Sequence, residues 1–183
     1  MPALLLNMNK FFLYFFLLTS ITAQSMVIDN LDNVKKNWVP ISDRVMGGIS
    51  IINFEVIDSE NGNFYRISGD VSTKNNGGFI QIQTLLPEVE QKYSGIKFMV
   101  RGNNNEFYSW IRTNSCRLPW DRYSSTFNAN EEWQQIKIPF EDFKKSNFYL
   151  PKKIKNSKIR SMAFAAYGKD FSPVLDIKDI QLY

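Results

Sequence analysis

The chain has no histidine and a single cysteine. Without histidine there is no Ser-His-Asp triad, no Cys-His pair and no imidazole ligand for a metal. The lone cysteine, Cys116, cannot close an internal disulfide, and its expected state is a buried thiol. Net charge is also small: 22 Lys and Arg against 18 Asp and Glu leave +4. The basic residues are spread out, apart from Lys152, Lys153, Lys155, Lys158 and Arg160, which read as a solvated loop. A nucleic-acid footprint needs a denser basic stripe, so no nucleic-acid partner is expected.

Paired carboxylates are scarce too. Glu131-Glu132 and Glu141-Asp142 are adjacent residues, and neighbours on a strand point to opposite faces. Neither doublet by itself sets two carboxyls across a scissile bond, which disfavours a glycosidase. Gly47-Gly48 and Gly77-Gly78 lack the lysine and helix of a phosphate-binding loop, so they read as backbone geometry. Asp43, Asp70, Asp176 and Asp179 are scattered, and no Asp-x-Asp-x-Asp calcium loop is present. No cofactor is expected, and the protein reads as non-catalytic.

What the chain does have is alternation. Residues 63–72 place Tyr65, Ile67 and Val71 on one parity, and residues 78–84 set Ile80 and Ile82 against Gln81 and Gln83. Residues 95–101 set Ile96, Phe98 and Val100 against Lys97, Met99 and Arg101. Residues 107–113 split into Phe107, Ser109, Ile111 and Tyr108, Trp110, Arg112. Ile136, Ile138 and Phe140 share a face, as do Met162, Phe164 and Ala166. Period two in run after run predicts half-buried strands. The final segment slips parity between Ile177 and Ile180, which predicts a bulge or bend. Turn clusters separate the runs, and residues 141–145 offer one short turn. About nine strands with no βαβ rhythm predict an all-β, two-sheet antiparallel sandwich of jelly-roll type. No repeat or linker divides residues 24–183, so one domain is expected there.

Residues 1–23 read as a secretory signal peptide. Lys10 supplies the positive start, residues 11–18 an apolar run too short to span a bilayer comfortably, and Ala23 a small residue before Gln24. An exported protein beginning near Gln24, with no membrane span, is expected; an uncleaved anchor is the alternative.

Residues 38–50, Trp-Val-Pro-Ile-Ser-Asp-Arg-Val-Met-Gly-Gly-Ile-Ser, are rich in turn chemistry and read as an ordered entry loop into a sheet. Their spacing resembles a signature of the complex I intermediate-associated protein 30 family: Trp38, Asp43, Val45, Met46, Gly47, Gly48 and Ser50. Gly69, Val71 and Ser72, then Asn75, Asn76, Gly77, Gly78 and Phe79, match a second segment. Val100-Arg101-Gly102, Arg112-Thr113, Trp133 and Ile138-Pro139-Phe140 with Phe143 follow in order. The resemblance implies a galactose-binding-like β-sandwich. It also implies a chaperone-like role in assembling respiratory NADH:ubiquinone oxidoreductase, with a protein assembly intermediate as partner. A reading that fits an exported chain is a carbohydrate- or protein-binding module outside that assembly.

Trp38, Asp43, Met46, Gly47, Gly48, Gly77 and Gly78 are expected to serve structure, with Asp43 bonding backbone N–H groups of the turn at 45–48. A binding face is expected around Arg101, Tyr108, Trp110 and Arg112, with Trp120, Asn75 and Asn76 at its rim. Rings beside guanidinium and amide groups suit a sugar or a protein hot spot. The competing reading puts Tyr108 and Trp110 inside the sandwich.

Overall fold

A computed structural model describes residues 25–32, 35–88, 92–155 and 158–183; the expected leader lies outside them. The strands are β1 (Met26–Asp29), β2 (Val39–Ser42), β3 (Ile51–Ile57), β4 (Phe64–Asp70), β5 (Phe79–Leu85) and β6 (Gly95–Gly102). After them come β7 (Asn105–Thr113), β8 (Tyr123–Ala129), β9 (Gln134–Pro139), β10 (Lys144–Lys145), β11 (Ile159–Tyr167) and β12 (Val174–Leu182). Short 3-10 turns occupy Asp43–Met46, Lys74–Asn76 and Phe140–Asp142. Among the described residues no helix is long and apolar enough to cross a membrane.

Two antiparallel sheets form a β-sandwich of jelly-roll type. Sheet I has the order β3-β4-β12-β6-β9, with β1 also on β12; sheet II has the order β10-β8-β7-β11-β5-β2. The alternating residues explain why the sheets stack. Ile82, Phe107, Ile111 and Phe164 from sheet II, with Phe98 and Ile177 from sheet I, are all almost fully buried. Phe98 makes edge contacts across the interior, its ring 4.8 Å from Phe164 and 5.1 Å from Phe127. Each such aromatic removes well over 100 Å² of apolar surface from water.

The parity slip in the last strand is a bulge. The β12–β6 register shifts between Lys178 and Gln181, and Asp179 takes a left-handed φ of 54°. The segment 38–50 differs from the expected loop: its first part is β2, an edge strand pairing with β5 alone. Pro40 can sit there because an edge strand need not donate every N–H.

Consecutive strands β6 and β7 do not pair. After β6 the chain crosses from sheet I to sheet II, held by Gly102 N–H to Asn130 O at 2.6 Å and Asn104 N–H to Ala129 O at 3.0 Å. That crossing decides which of the expected site residues can meet.

Candidate functional site

The outer face of sheet II is assembled from cross-strand rows. One row runs Val39, Gln83, Ala163, Trp110, Ser124; the next runs Ile41, Gln81, Ala165, Tyr108, Thr126. The central strand β11 contributes small residues to this face, Ser161, Ala163 and Ala165. Larger side chains from β5 and β7 stand on either side of them. The result is a groove of about 430 Å³ with Trp110, Gln81 and Gln83 among its lining.

Trp110 lies across the alanines and is 7% exposed, while Phe107 and Ile111 of the opposite parity are buried between the sheets. The expected parity of β7 therefore holds. Trp110 is nonetheless covered, by side chains of the same face. Arg122 lies 4.3 Å above its ring and 5.2 Å from Tyr167, and Tyr167 meets Trp110 edge-on at 5.6 Å. The indole N–H of Trp110 has no hydrogen-bond partner.

One wall of the groove is the turn at Asp43–Met46. Asp43 is fully buried. Its carboxylate accepts from Ser50 N (2.9 Å), Ser50 Oγ (2.5 Å), Gly78 N (2.6 Å) and Phe79 N (3.2 Å). This corrects the expected bonding to the turn at 45–48: the backbone carbonyl of Asp43 takes Gly48 N–H at 3.0 Å, while the side chain turns inward to β5. Burial pushes the Asp43 pKa up, but the bonds from Gly78, Ser50 and Phe79 outweigh it and hold the group below 3.8. Both glycine pairs follow from this anchor. A Cβ on Gly48 would stand 2.3 Å from the Asp43 carboxyl, and one on Gly77 2.4 Å. Gly47 and Gly78 take φ of 93° and 122°. Met46 departs from its expected structural role, since it is 63% exposed on the groove side of the wall beside Val45 at 76%.

The opposite wall is the segment 117–122, and it too hangs on a buried aspartate, which the sequence reading missed. Asp121 accepts from Arg117 N (3.0 Å), Leu118 N (2.9 Å), Asn147 Nδ2 and Tyr149 OH. Burial raises its pKa, but these bonds, led by Tyr149, bring it below 3.8. Tyr149 is pushed up to about 12, chiefly by the same bond. Arg112 ties the wall to β7, donating to Leu118 O at 2.8 Å and to Pro119 O. Trp120 stands at the rim, 59% exposed.

The expected binding residues therefore divide. Trp110, Arg112, Trp120 and Asn76 line the groove. Tyr108 backs Trp110, their rings 6.3 Å apart, and does not line it. Asn75, with φ of 57°, shapes the turn beside it. Arg101 is a correction: β6 belongs to sheet I, so Arg101 sits on the other outer face of the sandwich. There it shares Asp176 with Arg66, at 2.8 Å and 2.7 Å, and lies 5.0 Å over both Phe64 and Trp133. Arg122, Gln81, Gln83 and Tyr167 were missed as lining. For the glutamines the signal was present, as the polar parity of β5.

Trp38 is packed in the core. It is 4% exposed, and its indole N–H donates to Asp29 at 2.8 Å, which also accepts from Tyr65 OH at 2.9 Å.

Comparison with known proteins yields one family and a set of folds. The family model described as complex I intermediate-associated protein 30 matches residues 28–175. No curated protein matches the chain by sequence. Among solved structures, the family 11 carbohydrate-binding module of a Clostridium thermocellum cellulosomal cellulase is similar at 20% identity and TM-score 0.72, covering 88% of this chain and 95% of that one. The Clostridium thermocellum family 11 module in complex with a β-1,3-1,4-mixed-linked tetrasaccharide is similar at 21% identity and TM-score 0.71, over 86% and 94%. A family 30 carbohydrate-binding module of another cellulosomal cellulase from that organism reaches TM-score 0.60 at 13% identity, over 86% and 97%. At these identities the likeness is one of fold.

Proposed function

We propose a function from one premise: the chain belongs to the complex I intermediate-associated protein 30 family. It is a non-catalytic binding domain that holds an assembly intermediate of respiratory NADH:ubiquinone oxidoreductase, with the groove of sheet II as the contact. The family match over residues 28–175 carries this reading. The site supports it, because signature residues Asp43, Gly48, Gly77 and Gly78 build the wall that bears exposed Val45 and Met46. Exposed apolar and aromatic groups beside arginine are the composition of a protein hot spot. Among the described residues no carboxylate lines the groove, which supports binding over hydrolysis. The test is co-purification from membranes of the source cell. Subunits of the oxidoreductase should be captured by the wild type and lost with Trp120→Ala; equal capture by both would remove the groove from the interaction.

A second reading is an exported carbohydrate-binding module. Rings, side-chain amides and guanidinium groups line the groove, on a fold shared with a module bound to a mixed-linked tetrasaccharide. The expected leader fits this reading, and N-terminal sequencing of the cellular protein should then begin near Gln24. Mixed-linked β-glucan should raise the melting temperature of the wild type more than that of Trp120→Ala. No shift with any glycan would sink it.

A further inference from the structure

The charges of the groove are of one sign. Arg112 and Arg122 line it, and among the described residues no aspartate or glutamate does. Among the described residues the ion pairs are Arg66–Asp176 and Arg101–Asp176, so neither groove arginine belongs to one. Arg122 leans on the rings of Trp110 and Tyr167 and donates to Trp120 O at 3.3 Å. Arg112 donates to two backbone carbonyls, which satisfy part of its fork without neutralising it. Its pKa is lowered, first by burial, with Arg160 and Arg122 adding repulsion and Cys116 and Asp121 pulling the other way. The indole N–H of Trp110 has no acceptor among the described residues, but it is buried beneath Arg122 and Tyr167 and so is not offered to a ligand.

We propose that the groove binds an acidic polysaccharide, a chain of uronate sugars whose carboxylates are met by Arg112 and Arg122. This rests on the carbohydrate reading of the groove. A carboxylate matches the guanidinium fork in pairs of N–H bonds. Sugar hydroxyls match the amides of Gln81 and Gln83 and the hydroxyl of Ser161, and a pyranose face matches the exposed ring of Trp120. An acidic peptide fits less well. The floor is the face of a sheet whose central strands, β7, β11 and β5, are paired on both sides. A peptide adds to a sheet at an open edge, where backbone groups are free.

Polygalacturonate is the probe, measured by affinity electrophoresis and calorimetry, with neutral mixed-linked β-glucan and poly-L-glutamate alongside. Polygalacturonate should bind the wild type at least tenfold more tightly than either, and weaken as salt is raised. Arg122→Gln should cut that binding tenfold or more, and Lys178→Gln, on the other sheet, should leave it unchanged. Arg112→Gln risks loosening the 117–122 wall, so Gln83→Glu serves as the second variant. It places a carboxylate in the groove and should lower polygalacturonate binding tenfold with the melting temperature kept. Neutral glucan binding as tightly, with Arg122→Gln harmless, overturns the inference and leaves the carbohydrate reading standing. Poly-L-glutamate binding as tightly overturns it in favour of a peptide. No glycan binding of any kind overturns both.

Discussion

On the outer face of sheet I, Arg66, Asp176 and Arg101 stand side by side across three strands, and one carboxylate receives both guanidinium groups. On the outer face of sheet II, Arg112 and Arg122 stand near each other beside rings of similar kind, with no carboxylate among the described residues in an ion pair with them. The bond to Asp176 raises the pKa of Arg66, while burial lowers that of Arg112. The same side chain is thus paired with a carboxylate on one face and, on the other, hydrogen-bonded to backbone carbonyls without a counter-ion. A guanidinium paired with a carboxylate has little charge to offer a ligand; one without a counter-ion keeps its charge for a partner.

Removing the support of sheet II's groove should have the largest effect. Asp43→Ala removes the shared acceptor of four donors, most of them buried, and should cost about 3 kcal/mol in denaturant unfolding. If it unfolds like the wild type while losing its ligand, Asp43 is a contact residue instead. The acid limb should sharpen the point. Because the folded pKa of Asp43 is lowered, its contribution is complete above about 3.8 and fades as pH falls through the lower folded value. Asp43→Asn should therefore show a flatter stability profile below that pH.

Next comes Asp176→Ala, which turns sheet I into a copy of sheet II's electrostatics. Two half-exposed guanidinium groups lose their partner, and about 2 kcal/mol of stability should go with it. Ligand binding at the groove should persist; its loss would mean that the two faces are coupled through the core. Arg122→Ala should cost about 1 kcal/mol, the worth of a stacked cation. It uncovers Trp110, so indole emission should shift to the red and become more accessible to acrylamide. Unchanged emission would place the cover elsewhere. Trp120→Ala should move stability least, within about 0.5 kcal/mol, because the side chain is more than half exposed. A larger loss would make that ring part of the wall's packing.

Parity made much of this architecture legible before any coordinates. It identified the inward sets of β4, β5, β6, β7 and β11, the bulge in β12 and the outward set Tyr108, Trp110 and Arg112. It did not reveal which sheet each strand joins. Arg101 and Arg112 both point outward, yet the crossing at Asn103 and Asn104 sends them to opposite faces. Strand β8 was illegible for another reason. Its Ser124, Ser125 and Thr126 carry little apolar signal, and pairing to β7 and β10 supplies the order. Buried acceptors were hidden most thoroughly. Nothing in the sequence marks Asp29, Asp121 or Asp176 as a buried acceptor, because donors to each come from distant segments.

The carboxylate of Asp43 ties three separated stretches, at 43, 50 and 78–79, with glycines packed against it at 48 and 77. This bears on how genetics would report on the protein. Lesions at these positions would lower the amount of folded protein in the cell, and a screen scored by phenotype would record them as loss of function. Lesions at Trp120 or Arg122 would leave abundance nearer normal and lose function through binding alone. Measuring protein level beside phenotype separates the two classes.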